Sequence, residues 1–182
     1  MIRIIAGIYK GRFLKVPDPS VTRPTMDKVR QAIFNAMKDK VQGSVVLDLF
    51  AGSGAMGLEA LSRGARQVYF NDKDRKTFQI MKENILSLNP EKDSYVMALS
   101  DYRLFLKKYA EIKFDVVFLD PPYRFNINDS IIKEMEDRGM FKEDCLIVSE
   151  QEKENPVLPG FEMKEYRYGQ KHVALYRKVK SL

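Results

Sequence analysis

Tryptophan is missing from this 182-residue chain, and cysteine and histidine occur once each. A single cysteine cannot build a disulfide framework. Cys145 sits inside the apolar run Cys145-Leu146-Ile147-Val148, where a small buried hydrophobe is expected rather than a reactive thiol. His172 has no second histidine or cysteine beside it to share a metal, so no zinc site is expected and the residue is read as part of a loop. No apolar segment approaches the ~18 residues that cross a bilayer, and Ile4-Ile5-Ala6-Gly7-Ile8 is too short for a secretory signal. A cytoplasmic protein without a membrane partner is the expectation.

What is present fits a soluble globular domain. Hydrophobic residues make up 45% and charged residues 31%, an ordinary balance, and the length suits one domain with a sizeable core. Lysine and arginine number 31 against 25 acidic residues, a formal charge of +6. That excess favours a polyanion such as nucleic acid over an acidic protein.

The densest signal is Val45-Val46-Leu47-Asp48-Leu49-Phe50-Ala51-Gly52-Ser53-Gly54-Ala55-Met56-Gly57. It reads as an apolar strand, a glycine-rich turn and the start of a helix. Gly52, Gly54 and Gly57 form a G-x-G-x-x-G, and Asp72 closes the next apolar run, Val68-Tyr69-Phe70-Asn71. By spacing alone this fits a dinucleotide-binding fingerprint, with the acidic residue on the ribose hydroxyls. Asp48 decides between cofactors. A carboxylate inside a buried strand is costly unless a positive group meets it. The pyrophosphate of a nicotinamide cofactor would be repelled there. S-adenosylmethionine brings an ammonium and a sulfonium, and its carboxylate suits the amides that open the next helix. A purely structural Asp48 that caps the turn is the competing reading.

Along the chain, Met1 to Val16 alternate apolar pairs with Arg3, Lys10, Arg12 and Lys15, and Gly7 and Gly11 flank Ile8-Tyr9-Lys10. A basic β-hairpin over residues 1–20 is expected, apart from a main domain over 21–182. Its cations, interleaved with Tyr9 and Phe13, suit a phosphate backbone; equally they suit a solvated edge protected by charge. Thr25 is the expected N-cap of a helix with Val29, Ala32, Ile33, Ala36 and Met37 on its apolar face. A helix from Leu58 to Arg63, a strand from Gln67 to Asn71, a helix from Arg75 to Leu88 and a strand from Ser94 to Leu99 follow. Then come a helix around Leu104 and Phe105, a strand from Phe114 to Leu119, a helix from Asp129 to Arg138 and a strand from Cys145 to Ser149. Two final β-like runs, Met163 to Tyr168 and Val173 to Arg177, read as a closing hairpin. The alternation implies an open α/β sheet, mainly parallel, with helices on both faces. Asp48, Asp72, Asp101 and Asp120 all fall at strand ends, where ligands of such sheets bind.

The second motif, Asp120-Pro121-Pro122-Tyr123, leaves the strand Phe114 to Leu119 directly. Two prolines fix the backbone and remove two N–H donors, so carbonyl oxygens and a carboxylate face the cleft as acceptors beside an aromatic ring. Such a site suits a planar group carrying an exocyclic amine. Tyr123 can stack on that ring, a contact worth ~1–3 kcal/mol for a base.

These residues carry a resemblance. The glycine loop and Asp120-Pro121-Pro122-Tyr123 resemble the cofactor loop and catalytic motif of S-adenosylmethionine-dependent amino-group methyltransferases. More narrowly, the chain resembles the bacterial RsmD family, which methylates N2 of a guanine in small-subunit (16S) ribosomal RNA. Nearly the whole chain is covered: Arg3-Ile4-Ile5-Ala6-Gly7, Thr22-Arg23-Pro24-Thr25, Val29-Arg30, Phe34-Asn35, Leu47 to Gly54 and Glu59-Ala60-Leu61-Ser62-Arg63-Gly64-Ala65. The resemblance implies a Rossmann-like class I methyltransferase. Its mostly parallel seven-stranded sheet would carry a C-terminal antiparallel hairpin and a small N-terminal β-ribbon. It implies that Asp48 and the loop Phe50-Ala51-Gly52-Ser53-Gly54, with Gly57, hold the methionine end of the cofactor. Asp72 would take the ribose hydroxyls and Asp101 the adenine amine, with Lys73 and Ser100 also at the cofactor. Asp120 and the Pro121 carbonyl would orient the guanine amine, next to Pro122 and with Tyr123 against the base. Arg3, Lys10, Arg12, Arg23, Thr25, Lys28 and Arg30 would face RNA, with no metal required. Two positions depart from the family's habit: Gln31 stands where Glu is common, and Asp72 where Glu is frequent. Ribosomal RNA, within a small-subunit particle or an assembly intermediate, is the expected partner. Methylation of adenine N6 or of a protein glutamine amide, and a non-catalytic RNA-binding assembly factor, are the alternatives. A nicotinamide-dependent oxidoreductase leaves both Asp48 and the proline motif unexplained.

Overall fold

The computed structural model describes residues 2–17, 24–122 and 127–179, with the backbone alone for 24–26. A two-residue ribbon comes first: β1 (Ile2–Arg3) pairs antiparallel with β2 (Phe13–Leu14). Then come α1 (Pro24–Met37), β3 (Val45–Asp48), α2 (Ala55–Ser62), β4 (Gln67–Asp72), α3 (Arg75–Leu88), β5 (Tyr95–Leu99), α4 (Tyr102–Lys108), β6 (Phe114–Leu119), α5 (Asn128–Asp137) and β7 (Phe141–Gln151). The strands β8 (Phe161–Tyr168) and β9 (Lys171–Lys178) close the chain as a hairpin. The seven-stranded sheet runs β5-β4-β3-β6-β7-β9-β8. The first five are parallel neighbours, and β9 runs antiparallel to both β7 and β8. The expected α/β architecture is therefore the observed one.

Side-chain alternation along the strands builds two cores. Val46, Val68, Phe70, Val116, Phe118, Leu146 and Val148 face one side, packed by Phe34 of α1, Leu58 of α2 and Met81 and Ile85 of α3. Val45, Leu47, Tyr69, Val117, Leu119 and Ile147 face the other, packed by Phe105 of α4 and Ile132 and Met135 of α5. All four residues of β3 are buried, which explains why that strand reads as a continuous apolar run. The ribbon belongs to the first core through Ile4 and Leu14, each 1% exposed.

Chain order reverses between β4 and β5 on one side of β3 and β6 and β7 on the other. The cleft of a doubly wound sheet opens at that switch. Gly54 sits there in the left-handed region, φ +82°, as the residue that starts α2. Gly57 serves packing instead: a Cβ would lie 2.2 Å from Cε1 of Phe70 on β4. Gly57→Ala is expected to push that ring aside and to lower stability by about 1–3 kcal/mol. Urea unfolding measures this, and a midpoint equal to the parent's would contradict it.

Three local expectations are corrected. Pro24, not a capped Thr25, opens α1, because proline's fixed φ and missing N–H suit the first helical position. β7 begins at Phe141, four residues before the apolar run. Phe141 pairs with Phe114, and a register shift follows in which Asp144 takes a positive φ of 58°; the polar Lys142-Glu143-Asp144 hid that extension. His172 lies in β9, paired with Gln151 and Arg167, and not in a loop. Its Nδ1 is 3.6 Å from a Glu165 carboxylate oxygen. Cys145 is free and buried, as expected, and burial raises its thiol pKa.

Candidate active site

A cleft of about 430 Å³ opens at the carboxyl ends of β3, β4, β5 and β6. Of the expected cofactor and catalytic residues, Phe50, Gly52, Asp72, Lys73, Ser100, Asp101, Asp120, Pro121 and Pro122 line it. Asp48, Ala51, Ser53, Gly54 and Gly57 are not among the lining residues. Tyr123 and Arg23 fall outside the described residues, as does the side chain of Thr25.

The turn is held by carboxylates. Asp72 accepts the Gly52 N–H at 2.9 Å with one oxygen and the Asp74 N–H at 2.9 Å with the other. Asp48 is 4% exposed and accepts the Gly57 N–H at 3.0 Å. Burial pushes its pKa up to about 7; the Gly57 N–H works against that rise and Asp72 adds to it. So Asp48 does cap the turn, but one hydrogen bond leaves a buried carboxylate under-compensated. At Gly52, φ +57°, a Cβ would meet nothing within 4 Å, so the backbone opens freely toward the cleft. Under-compensated charge, open backbone and an acidic strand end are the features a cationic nucleoside ligand fits.

Asn71, Tyr102, Thr77 and Ile127 also line the cleft and were not anticipated. Asn71 is buried, donating to the carbonyls of Leu49 at 3.1 Å and Ser100 at 3.2 Å and accepting the Ser100 hydroxyl at 2.9 Å. It ties the loop after β3 to the loop after β5. Its signal in the sequence was an amide inside an apolar strand, a group that must find partners once buried. Tyr102 packs on Phe50 with ring centroids 5.8 Å apart. Asp101 caps α4 by accepting the Arg103 N–H at 2.9 Å.

Asp120 follows Leu119, whose partner across the sheet is Ser149. Glu150 is thus its neighbour on β7, in an ion pair with Lys171 of β9. More than a third of Asp120 opens onto the cleft, yet protein surrounds it on its other sides. Desolvation and then Glu150 raise its pKa; Lys171 pulls it down and Asp48 adds to the rise. Behind the prolines, Asn128 donates to the Ser149 hydroxyl at 2.7 Å, and Ser149 donates to Asn155 at 2.7 Å. This buried relay braces the backbone on which the motif stands.

The expected RNA-facing residues divide. Arg3, Lys10, Arg12 and Lys28 are exposed, though Arg12 also donates to the Ser87 carbonyl at 2.9 Å. Arg30 is corrected: it is 6% exposed, donates to the Arg3 carbonyl, and is ion-paired with Asp27 at 3.0 Å and Glu59 at 3.7 Å. A cation spent inside the protein cannot face RNA. Exposed Ile8 and Phe13 accompany the free faces of the ribbon. Among the described residues no cluster of three or more His, Cys, Asp or Glu could hold a metal, and no helix is long and apolar enough to cross a membrane.

An open, mostly parallel sheet with a glycine turn after one strand, an acidic residue ending the next and Asp-Pro-Pro after the strand across the switch defines a Rossmann-like methyltransferase. The solved structures agree. A putative methyltransferase from Escherichia coli superposes with TM-score 0.87 at 35% identity, covering 99% of each chain. A putative methylase from Haemophilus influenzae gives 0.81 at 34%, over 98% of this chain and 99% of that one. A family model described as Conserved hypothetical protein 95 matches residues 2–177, and the chain belongs to that family, the RsmD family. Ribosomal RNA small subunit methyltransferase D of Escherichia coli is 39% identical over 87% of this chain and 80% of its own length. Putative rRNA methyltransferase YlbH of Bacillus subtilis is 38% identical over 97% and 99%.

Proposed function

We propose that this protein transfers a methyl group from S-adenosylmethionine to the exocyclic N2 amine of a guanine in small-subunit (16S) ribosomal RNA. The observation that carries the reading is the meeting of two motifs in one cleft, whose lining includes Gly52 and Asp72 from the first and Asp120-Pro121-Pro122 from the second. The names of the relatives above support the ribosomal RNA substrate.

In this reading Asp48 meets the cofactor's ammonium, Asp72 its ribose hydroxyls and Asp101 its adenine amine, with Phe50, Lys73 and Ser100 completing the walls. The cofactor supplies an electrophilic methyl group on a sulfonium. The chain's own work is done by acceptors. A guanine amine is a poor nucleophile because its lone pair is delocalised into the ring. The Asp120 carboxylate and the Pro121 carbonyl hold its two hydrogens, which localises that pair and aims it across the cleft. Asp120 also opposes the positive charge that develops on nitrogen. The proton leaves after transfer, so no strong base is needed. Tyr123 stacks on the base, which must first be exposed or flipped from its stack. Arg3, Lys10, Arg12, Lys28 and Arg23 hold phosphates. A ribonucleoprotein substrate in the cytoplasm, a small-subunit particle or an assembly intermediate, completes this reading.

The test is methyl transfer from labelled S-adenosylmethionine to small-subunit RNA and particles, followed by nucleoside digestion. Label in N2-methylguanosine is expected. Label in N6-methyladenosine would keep the class and overturn the target base.

The pair beside Asp120 sets the pH dependence. Transfer requires the ionised carboxylate, and Lys171 lowers its pKa while Glu150 raises it. Lys171→Ala should therefore move the acidic limb of the kcat/KM profile to higher pH, and Glu150→Gln should move it to lower pH. Shifts in the same direction for both variants would contradict this arrangement.

A further inference from the structure

Glu59 is a fully buried carboxylate in α2 that takes no part in the cleft. One oxygen accepts the Ile5 N–H at 2.8 Å; the other accepts the Ala6 N–H at 3.1 Å and the Arg63 Nε at 2.7 Å. Arg30, 3.7 Å away, carries the same network to the Arg3 carbonyl. One turn further on, Ser62 donates to the Ala6 carbonyl, accepts the Tyr9 N–H at 2.9 Å, and its own carbonyl accepts the Ile8 N–H at 2.8 Å. The approach is so close that a Cβ on Gly7, at φ +84°, would lie 1.7 Å from the Ser62 carbonyl oxygen.

The ribbon's other end is fastened as tightly. Asn84 of α3 accepts the Lys15 N–H at 2.8 Å and donates to the carbonyls of Lys15 and Ser53, both at 2.9 Å. The ribbon is therefore clamped at one end to the helix that follows the glycine turn and at the other to α3, whose Asn84 also holds the turn at Ser53. Burying a carboxylate is expensive, and packing alone does not require one here. What Glu59 adds over an apolar residue is direction: it fixes two successive amides of the ribbon against α2.

We propose that Glu59 is a positioning residue for methyl transfer, with Asn84 as its counterpart at the turn. Together they hold the basic ribbon in register with the glycine turn, so that RNA gripped by Arg3, Lys10 and Arg12 presents its base to the cleft in line. The inference rests on the reading of that ribbon as an RNA face. Misplacement of reacting groups by about 1 Å costs on the order of 10²-fold in rate, which is the scale a loosened clamp reaches.

The experiment compares Glu59→Gln with the parent in three readouts: amide hydrogen exchange, S-adenosylhomocysteine affinity by calorimetry, and kcat/KM on small-subunit RNA particles. The amide of Gln places an NH2 where the carboxylate accepts N–H groups. Exchange at Ile5 and Ala6 is expected to quicken, kcat/KM to fall at least about tenfold, and cofactor affinity to stay within about threefold. Parallel loss of cofactor and RNA turnover would mark Glu59 as a support of the whole domain and overturn the proposal. A Lys10→Glu variant separates the two layers. If it loses turnover while Glu59→Gln keeps it, the clamp is overturned and the RNA face stands. If neither variant loses turnover, the RNA-face reading fails and takes the clamp with it. Should Glu59→Gln not fold, Ser62→Ala, which removes the acceptor for Tyr9, carries the same comparison.

Discussion

Asp120→Ala is expected to lower kcat for methyl transfer by about 10²–10³-fold, the range lost when one electrostatic hydrogen-bonding group is removed from a transition state. Its affinity for S-adenosylhomocysteine should stay within a few-fold of the parent, because the proposed cofactor contacts are made by Asp48, Asp72 and Asp101 and not by Asp120. Asp120→Asn keeps one oxygen acceptor and loses the charge, so it should fall between the two. Single-turnover methylation and calorimetric titration measure the two quantities separately. If turnover and cofactor binding vanish together, Asp120 supports the fold and the proposed role is wrong. If turnover survives, another acceptor orients the amine.

The second large effect belongs to Asp48 and has opposite signs with and without cofactor. Its pKa is about 7 in the folded protein against an ordinary 3.8, so the folded state holds that proton more tightly than the unfolded chain does. Its contribution to stability is intact below about pH 4 and is lost as pH rises toward 7 and beyond. The loss at pH 8 is on the order of 2–4 kcal/mol. Asp48→Asn removes the ionisation and keeps an oxygen for the Gly57 N–H. The cofactor-free variant should therefore be more stable than the parent at pH 8 and no more stable at pH 4. On the proposed reading the same substitution removes the partner of the cofactor's ammonium and should weaken binding about 10- to 100-fold. Thermal unfolding across that pH range, with and without S-adenosylhomocysteine, reads both effects. A gain in stability with unchanged affinity would leave Asp48 as a turn cap alone.

Much of this was legible in the chain itself. β3 is buried on both faces, so its apolar run could be nothing but an inner strand, and Asp48 stood out because no such strand tolerates charge without a partner. The bounds of α3 and β6 followed from periodicity and from local punctuation such as Asn89-Pro90. The two motifs followed from residue types whose backbone constraints, in glycine and proline, are local. A single sequence holds all of that, because each signal acts within a few residues of itself.

What the tertiary structure decided are the long-range pairings. Arg30 and Lys28 are the same kind of residue on the same helix, yet one is buried against Glu59 and the other faces solvent; only the docking of α1 on α2 separates them. His172 entered a strand because β7 and β8 lie on either side of it, and β7 began at Phe141 because Phe114 was there to pair with it. Glu59 and Asn84 read as ordinary polar residues until partners between 29 and 69 positions away were brought to them. Hydrogen-bond partners so distant in sequence leave no periodic trace, since a buried polar group is recognised by what surrounds it in space.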